Sequence, residues 1–134
     1  MQTVGKYLLD TCVCIALIKK NASVIKHLRE VNRDECKISE ITIAELFYGA
    51  YNSGKEEHFD DVAVIAEMFE QYPISDSLRK YANIRWLLKE KGKPVDHLDL
   101  FIAATALTEG LTLVTGNIKH FERIPGLKIE NWME

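Results

Sequence analysis

Short apolar runs alternate along this chain with longer segments in which hydrophobic and polar residues are mixed. Unbroken apolar runs are typical of strands buried in a parallel sheet, whereas apolar positions three or four residues apart are typical of helices. The runs predict strands at 7–9, 36–38, 72–74, 111–115 and 127–130. The mixed segments predict helices at 13–18, 24–31, 41–51, 55–70, 77–91 and 98–109. Strands that alternate with helices favour an α/β fold with a parallel sheet and right-handed crossovers.

Two of the predicted helices carry further signals. The helix at 77–91 is followed by Gly92 and Pro94, which are typical of a helix end. The helix at 98–109 is almost uniformly apolar and rich in alanine, so we expect it to be buried.

The size and apolar content of the chain fit one globular domain covering residues 1–134, with 47% hydrophobic and 28% charged residues. No repeat or linker divides it. No apolar run approaches the roughly 18–20 residues that a membrane span needs, and residues 1–5 lack the basic start of a secretion signal. We therefore expect a cytoplasmic protein with no membrane contact.

Net charge and cysteine content limit how the chain can bind nucleic acid and what its cysteines can do. A net charge of −3 gives no general attraction for nucleic acid, so such binding would need local basic patches or bound cations. The cysteines, Cys12, Cys14 and Cys36, are odd in number, and the spacing of the first two fits neither a zinc nor a redox motif. They are expected to be reduced and structural.

Acidic residues lie at three element boundaries beside apolar segments. Asp10 follows the first strand, where open α/β sheets place their sites, but Asp is also a preferred helix N-cap. Glu45 lies among apolar residues after the second strand, and Thr42 to Glu45 also matches a capping box. Asp96 can cap the apolar helix and leave Asp99 in its first turn, where the helix dipole favours an anion. Each position has both a structural and a chemical interpretation.

Carboxylates that follow parallel strands would meet at one edge of the sheet. Like charges held close together need a counter-cation, and ligands that are all oxygen select a hard metal such as Mg²⁺ or Mn²⁺. Such an ion can activate water for attack on a phosphodiester and stabilise the leaving oxygen. These acids therefore predict hydrolysis of nucleic acid.

Several segments together resemble a known family, and they read YLLDTCVCIALI, TIAELFYGA and GKPVDHLDLFIAATALTEGLTLVTGNIKHFERIPGLKIENW. In order and spacing, they resemble the PIN-domain ribonucleases of the VapC toxin type over nearly the whole chain. The resemblance implies a PIN-like α/β/α sandwich with a central parallel sheet of about five short strands. It also implies a Mg²⁺-dependent endoribonuclease toxin that cuts a structured RNA such as tRNA. A cognate antitoxin would hold this toxin inactive.

By motif position, the resemblance assigns both the catalytic and the metal-binding roles to Asp10, Glu45 and Asp99. Asp99 opens the stretch DLFIAATAL and matches the family's acidic position. Asp96 is then left as the cap of the helix.

Neighbouring positions are assigned supporting roles. Thr11 follows the first acid, and Thr115 offers a hydroxyl near the family's fourth acidic position, although it can also be simply the end of a strand. Asn117 holds that fourth position with a neutral oxygen donor, which weakens the case for a second metal ion. Cys12 replaces the family's usual Asn or Ser, which weakens any hydrogen-bonding role there.

Basic side chains that can contact RNA are Arg85, Lys119 and His120. The last two, with Arg123, can flank the cleft or be ordinary surface residues. Arg85 can bind an RNA phosphate, or it can lie along its helix with the charged end in water.

Aromatic residues at helical spacing, Phe47, Tyr48 and Tyr51, are typical of a core or of a dimer contact rather than of base stacking. We expect the protein to form a homodimer.

Two other functions remain open from the sequence. A receiver-like signalling module also has an Asp after a strand, but it needs an acidic pair and a Lys-Pro that this chain lacks at the matching places. A PIN nuclease of RNA maturation or DNA processing would share the same chemistry. A small antitoxin reading frame beside the gene would favour the toxin.

Overall fold

The computed structural model describes residues 5–92 and 95–134, and within them the strands form one parallel sheet. The strand order is β3-β2-β1-β4-β5. The strands are β1 (Tyr7–Leu9), β2 (Cys36–Ser39), β3 (Glu70–Tyr72), β4 (Thr112–Val114) and β5 (Ile129–Glu130). The predicted parallel sheet of five short strands is confirmed.

Helices connect these strands and cover both faces of the sheet. They are α1 (Thr11–Ile18), α2 (Ala22–Glu30), α3 (Glu40–Ser53), α4 (Glu56–Met68), α5 (Leu78–Glu90), α6 (His97–Glu109) and α7 (Ile118–Phe121). Short 3₁₀ turns at Arg33–Glu35 and Ser75–Ser77 precede β2 and α5. None of the helices within the described ranges is both long and apolar enough to cross a membrane.

Hydrophobic side chains pack on both faces of the sheet, as expected for an α/β/α sandwich. Leu9 of β1 belongs to the core formed with α1–α4, whereas its neighbour Leu8 belongs to the core formed with α5 and α6. This division follows from the alternation of side chains along a strand. Each fully buried leucine contributes about 1.5–3 kcal/mol of hydrophobic stabilisation. The apolar α6 is buried as predicted, at Leu100 and from Ile102 through Ala106.

The connectivity creates a switch point between β1 and β4, at the carboxyl ends of these strands. From β1 the chain proceeds outward through β2 and β3 on one side, then returns to add β4 and β5 on the other. The strand order therefore reverses between β1 and β4, whose Leu9 and Val114 are paired. Ligand sites of open α/β sheets lie outside the carboxyl ends of the strands at this kind of switch point.

The structure differs from the predicted elements at the third strand and at a short helix that follows β4. The third strand ends at Tyr72, paired with Ser39, and does not extend to Ile74, because Pro73 has no N–H with which to continue a ladder. The short helix α7 was not predicted. Gly92 has the left-handed φ of 66° expected just beyond a helix end, while Pro94 lies outside the described residues.

Candidate active site

Asp10 lies at the switch point, directly after β1, and only 3% of its surface is exposed. Its Oδ1 accepts the backbone N–H of Thr11 at 2.8 Å, which makes it the N-cap of α1. Its Oδ2 accepts the hydroxyl of Thr115 at 2.8 Å, from the end of the adjacent β4. Burial raises the pKa of Asp10 despite these hydrogen bonds. The capping interpretation is confirmed, and the same side chain also links the carboxyl ends of the neighbouring strands β1 and β4.

Glu45 is bound by Thr11 and does not take part in a capping box. The N-cap of α3 is Ser39, whose side chain accepts the N–H of Ile41, so Thr42 lies inside the helix. Glu45 is consequently too far along α3 to reach back to the cap. The capping-box interpretation is therefore wrong. Instead, the Oε1 of Glu45 accepts the hydroxyl of Thr11 at 2.6 Å.

Asp99 lies in the first turn of α6, behind the predicted cap. Asp96 is the N-cap, since its Oδ2 accepts the N–H of Leu98 at 3.2 Å. Asp99 is partly buried, and its Oδ2 lies 3.3 Å from Nδ1 of His120. Burial is the main cause of the raised pKa of Asp99, followed by the charge of Asp10. The predictions that Asp96 caps the helix and that Asp99 lies in its first turn are confirmed.

The three carboxyl groups interact electrostatically. Burial raises the pKa of Glu45 most, and the charges of Asp10 and Asp99 raise it further. Across residues 5–92 and 95–134, no three His, Cys, Asp or Glu side chains form a preformed metal cage. Mg²⁺ does not require such a cage, because it commonly takes one or two carboxylates and keeps several waters. The oxygen donors and their mutual repulsion therefore fit a hard divalent cation.

The remaining supporting residues form one hydrogen-bonded group around Asp10. Cys12 lies with its sulfur 3.6 Å from Oδ2 of Asp10, and this sulfur accepts the N–H of Gly116 at 3.4 Å. Burial raises the pKa of Cys12 and keeps it a thiol. The backbone N–H of Asn117 donates to the Thr115 hydroxyl at 3.0 Å. Among the described residues, the Asn117 side chain makes no capping hydrogen bond to α7, which leaves its amide available.

A sequence profile of the PIN domain matches residues 7–127. Ribonuclease VapC2 of Haemophilus influenzae is 39% identical to the chain over 132 residues, which cover 96% of this chain and 98% of that protein. The chain belongs to the VapC-type PIN-domain ribonucleases.

Further relatives agree with this membership in the VapC ribonucleases. The tRNA(fMet)-specific endonuclease VapC of Salmonella typhimurium is 38% identical and covers 95% of this chain and 98% of its own. The structure of VapBC2 from Rickettsia felis bound to a promoter DNA fragment matches with a TM-score of 0.87 and 36% identity, over 94% of this chain and 98% of that one. The PIN-like fold predicted from the motifs is confirmed, and a receiver-like module is excluded.

The residues predicted to contact RNA are separated in this PIN domain. His120 lies against Asp99, whereas Lys119 beside it is exposed. Arg85 lies on α5 and donates from Nη1 to the hydroxyl of Tyr81 at 3.3 Å, outside the acidic group. Arg85 is exposed, and both interpretations of its role stay predictions.

Thr42 was predicted from the sequence only as a possible helix cap. It is fully buried, and its hydroxyl lies 3.1 Å from that of Thr11. The Thr11 hydroxyl has a single proton, so it donates either to the closer Oε1 of Glu45 or to the Thr42 hydroxyl, and both acceptors hold it in place. The spacing of Thr42 and Glu45 by nearly one helical turn on α3 is the sequence signal that can reveal this link.

We expect Thr42→Val to lower kcat for RNA cleavage by about tenfold, because Thr11 loses the hydroxyl that holds it against Glu45. Thr42→Ser retains a hydroxyl and should restore most of the rate. The measurement is kcat and KM across pH, together with thermal unfolding of both variants. Equal rates for the valine and serine variants would show that Thr42 only fills space.

Proposed function

We propose that this chain is a Mg²⁺- or Mn²⁺-dependent endoribonuclease toxin of a toxin–antitoxin system. The observation that supports this proposal is that Asp10, Glu45 and Asp99, carried by three different elements, each have a raised pKa, and that the charges of Asp10 and Asp99 both raise the pKa of Glu45. Raised pKa values of buried carboxyl groups are often found at functional sites. The names of the VapC ribonuclease relatives support the same activity.

In the proposed site, the acidic side chains bind the cation and the threonines orient the acids. Asp10, Glu45 and Asp99 would hold the cation through carboxylate oxygens. A bound Mg²⁺ would neutralise these charges and polarise the phosphodiester for attack by water. Thr11 orients both Asp10, through its N–H, and Glu45, through its hydroxyl. Thr115 fixes the second oxygen of Asp10.

The substrate we propose is a single-stranded loop of a structured RNA such as tRNA. Unpaired bases can be turned outward, which leaves the backbone accessible to a cleft. A relative from Salmonella typhimurium is named as a tRNA(fMet)-specific endonuclease, which supports this class of RNA. With a net charge of −3, the chain would attract RNA through local basic patches or bound cations.

The partner we propose is a cognate antitoxin, as in the VapBC complexes of Rickettsia felis and Salmonella typhimurium. A groove of about 200 Å³ between α1, α3 and α4 has apolar walls that include Ile15 and Leu46, and it reaches Glu45. An antitoxin segment in this groove could place a basic side chain beside the acids, where charge-assisted hydrogen bonds would block the site.

Exposed aromatic residues support a second interface. Tyr48 and Tyr51 of α3 are more than 70% exposed, so their interpretation as core residues is wrong. Phe47 and Tyr51 pack against Phe59 of α4 and form a continuous aromatic surface. We propose that this surface contributes to a homodimer or to antitoxin binding.

Induction of the gene in cells tests the proposed function. We expect growth arrest and new RNA ends at one or a few sites, because a toxin cuts a defined RNA. Co-expression of the neighbouring small reading frame should relieve both effects. The matched control is Asp99→Asn, which should be inert. New RNA ends without growth arrest or relief would instead indicate a nuclease of RNA maturation.

A further inference from the structure

A second cavity, of about 360 Å³, lies between the end of α5 and the start of α6. Its apolar wall is formed by Leu88, Val95 and Leu100. Cavities of small-molecule sites begin at roughly 300 Å³ and combine apolar walls with a few polar groups. The size and the wall therefore suit one nucleotide unit.

Cationic groups form the polar side of this cavity. Arg85 and Lys89 lie four residues apart on α5, so they are neighbours on one face of the helix. Both are exposed, and neither forms an ion pair within the part of the chain that the structure describes. Two uncompensated cations beside an apolar wall favour a ligand that carries both a negative charge and an apolar ring.

Hydrogen bonds and stacking fix one side of the cavity. The hydroxyl of Tyr81 lies 2.8 Å from Nδ1 of His97 and accepts an N–H of Arg85 at 3.3 Å. The Tyr81 ring stacks on Phe101 of α6 with centroids 3.9 Å apart and an angle of 6° between the planes. Arg85 uses one of its guanidinium donors here and keeps the others for a phosphate.

The cavity and the acidic group share one structural element, the first turn of α6. His97 and Leu100, which line the cavity, lie on either side of Asp99 in the first turn of α6. One turn of helix rises only about 5.4 Å, so this part of the cavity wall lies within one turn of Asp99 along α6.

We propose that this cavity is a nucleotide subsite for the RNA strand next to the position of cleavage. The phosphate binds Arg85 and Lys89, and the base packs over the apolar wall. Phosphate contacts set affinity and register, while the packing of a base tolerates many sequences. This inference rests on the proposed function, because it assumes that the RNA strand is cut at the acidic group.

Binding of RNA without cleavage tests the subsite. A fluorescent RNA hairpin with an unpaired loop is titrated with the full chain in EDTA, at several salt concentrations. Arg85→Ala/Lys89→Ala should weaken binding by about tenfold and reduce the salt slope by about 1.4, since each phosphate contact on a single strand contributes about 0.7. The charge-retaining Arg85→Lys/Lys89→Arg should recover most of the affinity.

The matched control is Lys26→Ala/Arg29→Ala on α2, which removes the same charge from the opposite face of the sheet. This control should bind RNA almost as tightly as the unmodified chain. Equal losses in both double variants would overturn the subsite and show a general charge effect. Unchanged RNA binding combined with loss of antitoxin binding would also overturn it and assign the surface to a protein partner.

The outcome separates the subsite from the proposed function. If the chain binds the hairpin through Arg85 and Lys89 but cuts no RNA with Mg²⁺, the binding of RNA at this cavity stands and the nuclease proposal fails. If the chain cuts RNA and the Arg85→Ala/Lys89→Ala variant binds it normally, the nuclease stands and the subsite fails. Thermal unfolding of each variant shows whether the fold is retained.

Discussion

Asp10→Asn, Glu45→Gln and Asp99→Asn are each expected to reduce RNA cleavage by at least about 100-fold, because each removes one charge that would hold the cation. The measurement is gel-based cleavage of purified tRNA at a fixed Mg²⁺ concentration. Asp96→Asn is the matched control, since Asn remains a good N-cap and Asp96 is not assigned to the cation. Full activity of Glu45→Gln would remove Glu45 from the proposed site.

The same three variants should retain the fold, and their stability should depend on pH in a defined direction. Burial is the main cause of the raised pKa at each carboxyl group. A raised folded-state pKa stabilises the protein below the ordinary pKa, and that contribution is lost as the pH rises through the folded-state value. The metal-free protein should therefore become less stable from acidic toward neutral pH.

Asp10→Asn should show a smaller loss of stability over this pH range, because its side chain no longer ionises. The measurement is the midpoint of thermal unfolding in EDTA at a series of pH values. Added Mg²⁺ should flatten the curve of the unmodified protein and leave that of Asp10→Asn nearly unchanged. A variant that unfolds at every pH would indicate that the carboxylate at Asp10 is needed as a structural cap.

The fold follows from the sequence wherever a local signal is strong. The run Tyr7–Leu9 gave β1 at its observed bounds, because an unbroken apolar run between polar residues fits a central parallel strand. The predicted position of β3 was two residues too late in the chain. This strand lies at the edge of the sheet and has few buried residues, so its apolar signal is weak, and Pro73 marks only its end. The four-residue α7 is too short for a helical period to show.

The candidate site follows from the sequence only in its acids. Asp10 and Asp99 interrupt apolar segments at element boundaries and Glu45 interrupts one inside α3, and this contrast is visible without a structure. The link from Thr42 to Thr11 joins residues 31 positions apart, so it requires the packing of α1 on α3. The contact of His120 with Asp99 likewise depends on where α7 lies against α6. Local patterns carry no information about such distant pairs.

The largest remaining effect is expected from the metal itself. Cleavage should stop in EDTA and return with Mg²⁺ or Mn²⁺, because the three carboxylates need a counter-cation before RNA can approach. The measurement is the cleavage rate of one RNA as Mg²⁺ is titrated. Full cleavage in EDTA would contradict the metal mechanism.

Asn117 sets how much Mg²⁺ is needed. Asn117→Asp adds a carboxylate next to Thr115 and should lower the Mg²⁺ concentration for half-maximal cleavage by about threefold to tenfold, since ligand charge tunes cation affinity. Asn117→Leu loses the oxygen donor and should raise that concentration. Both variants keep the backbone N–H that donates to Thr115, so the loop retains this bond. Asn52→Asp, on the exposed end of α3, controls for the added charge. Superimposable curves for the Asn117 variants would mean that Asp10, Glu45 and Asp99 bind the cation without it.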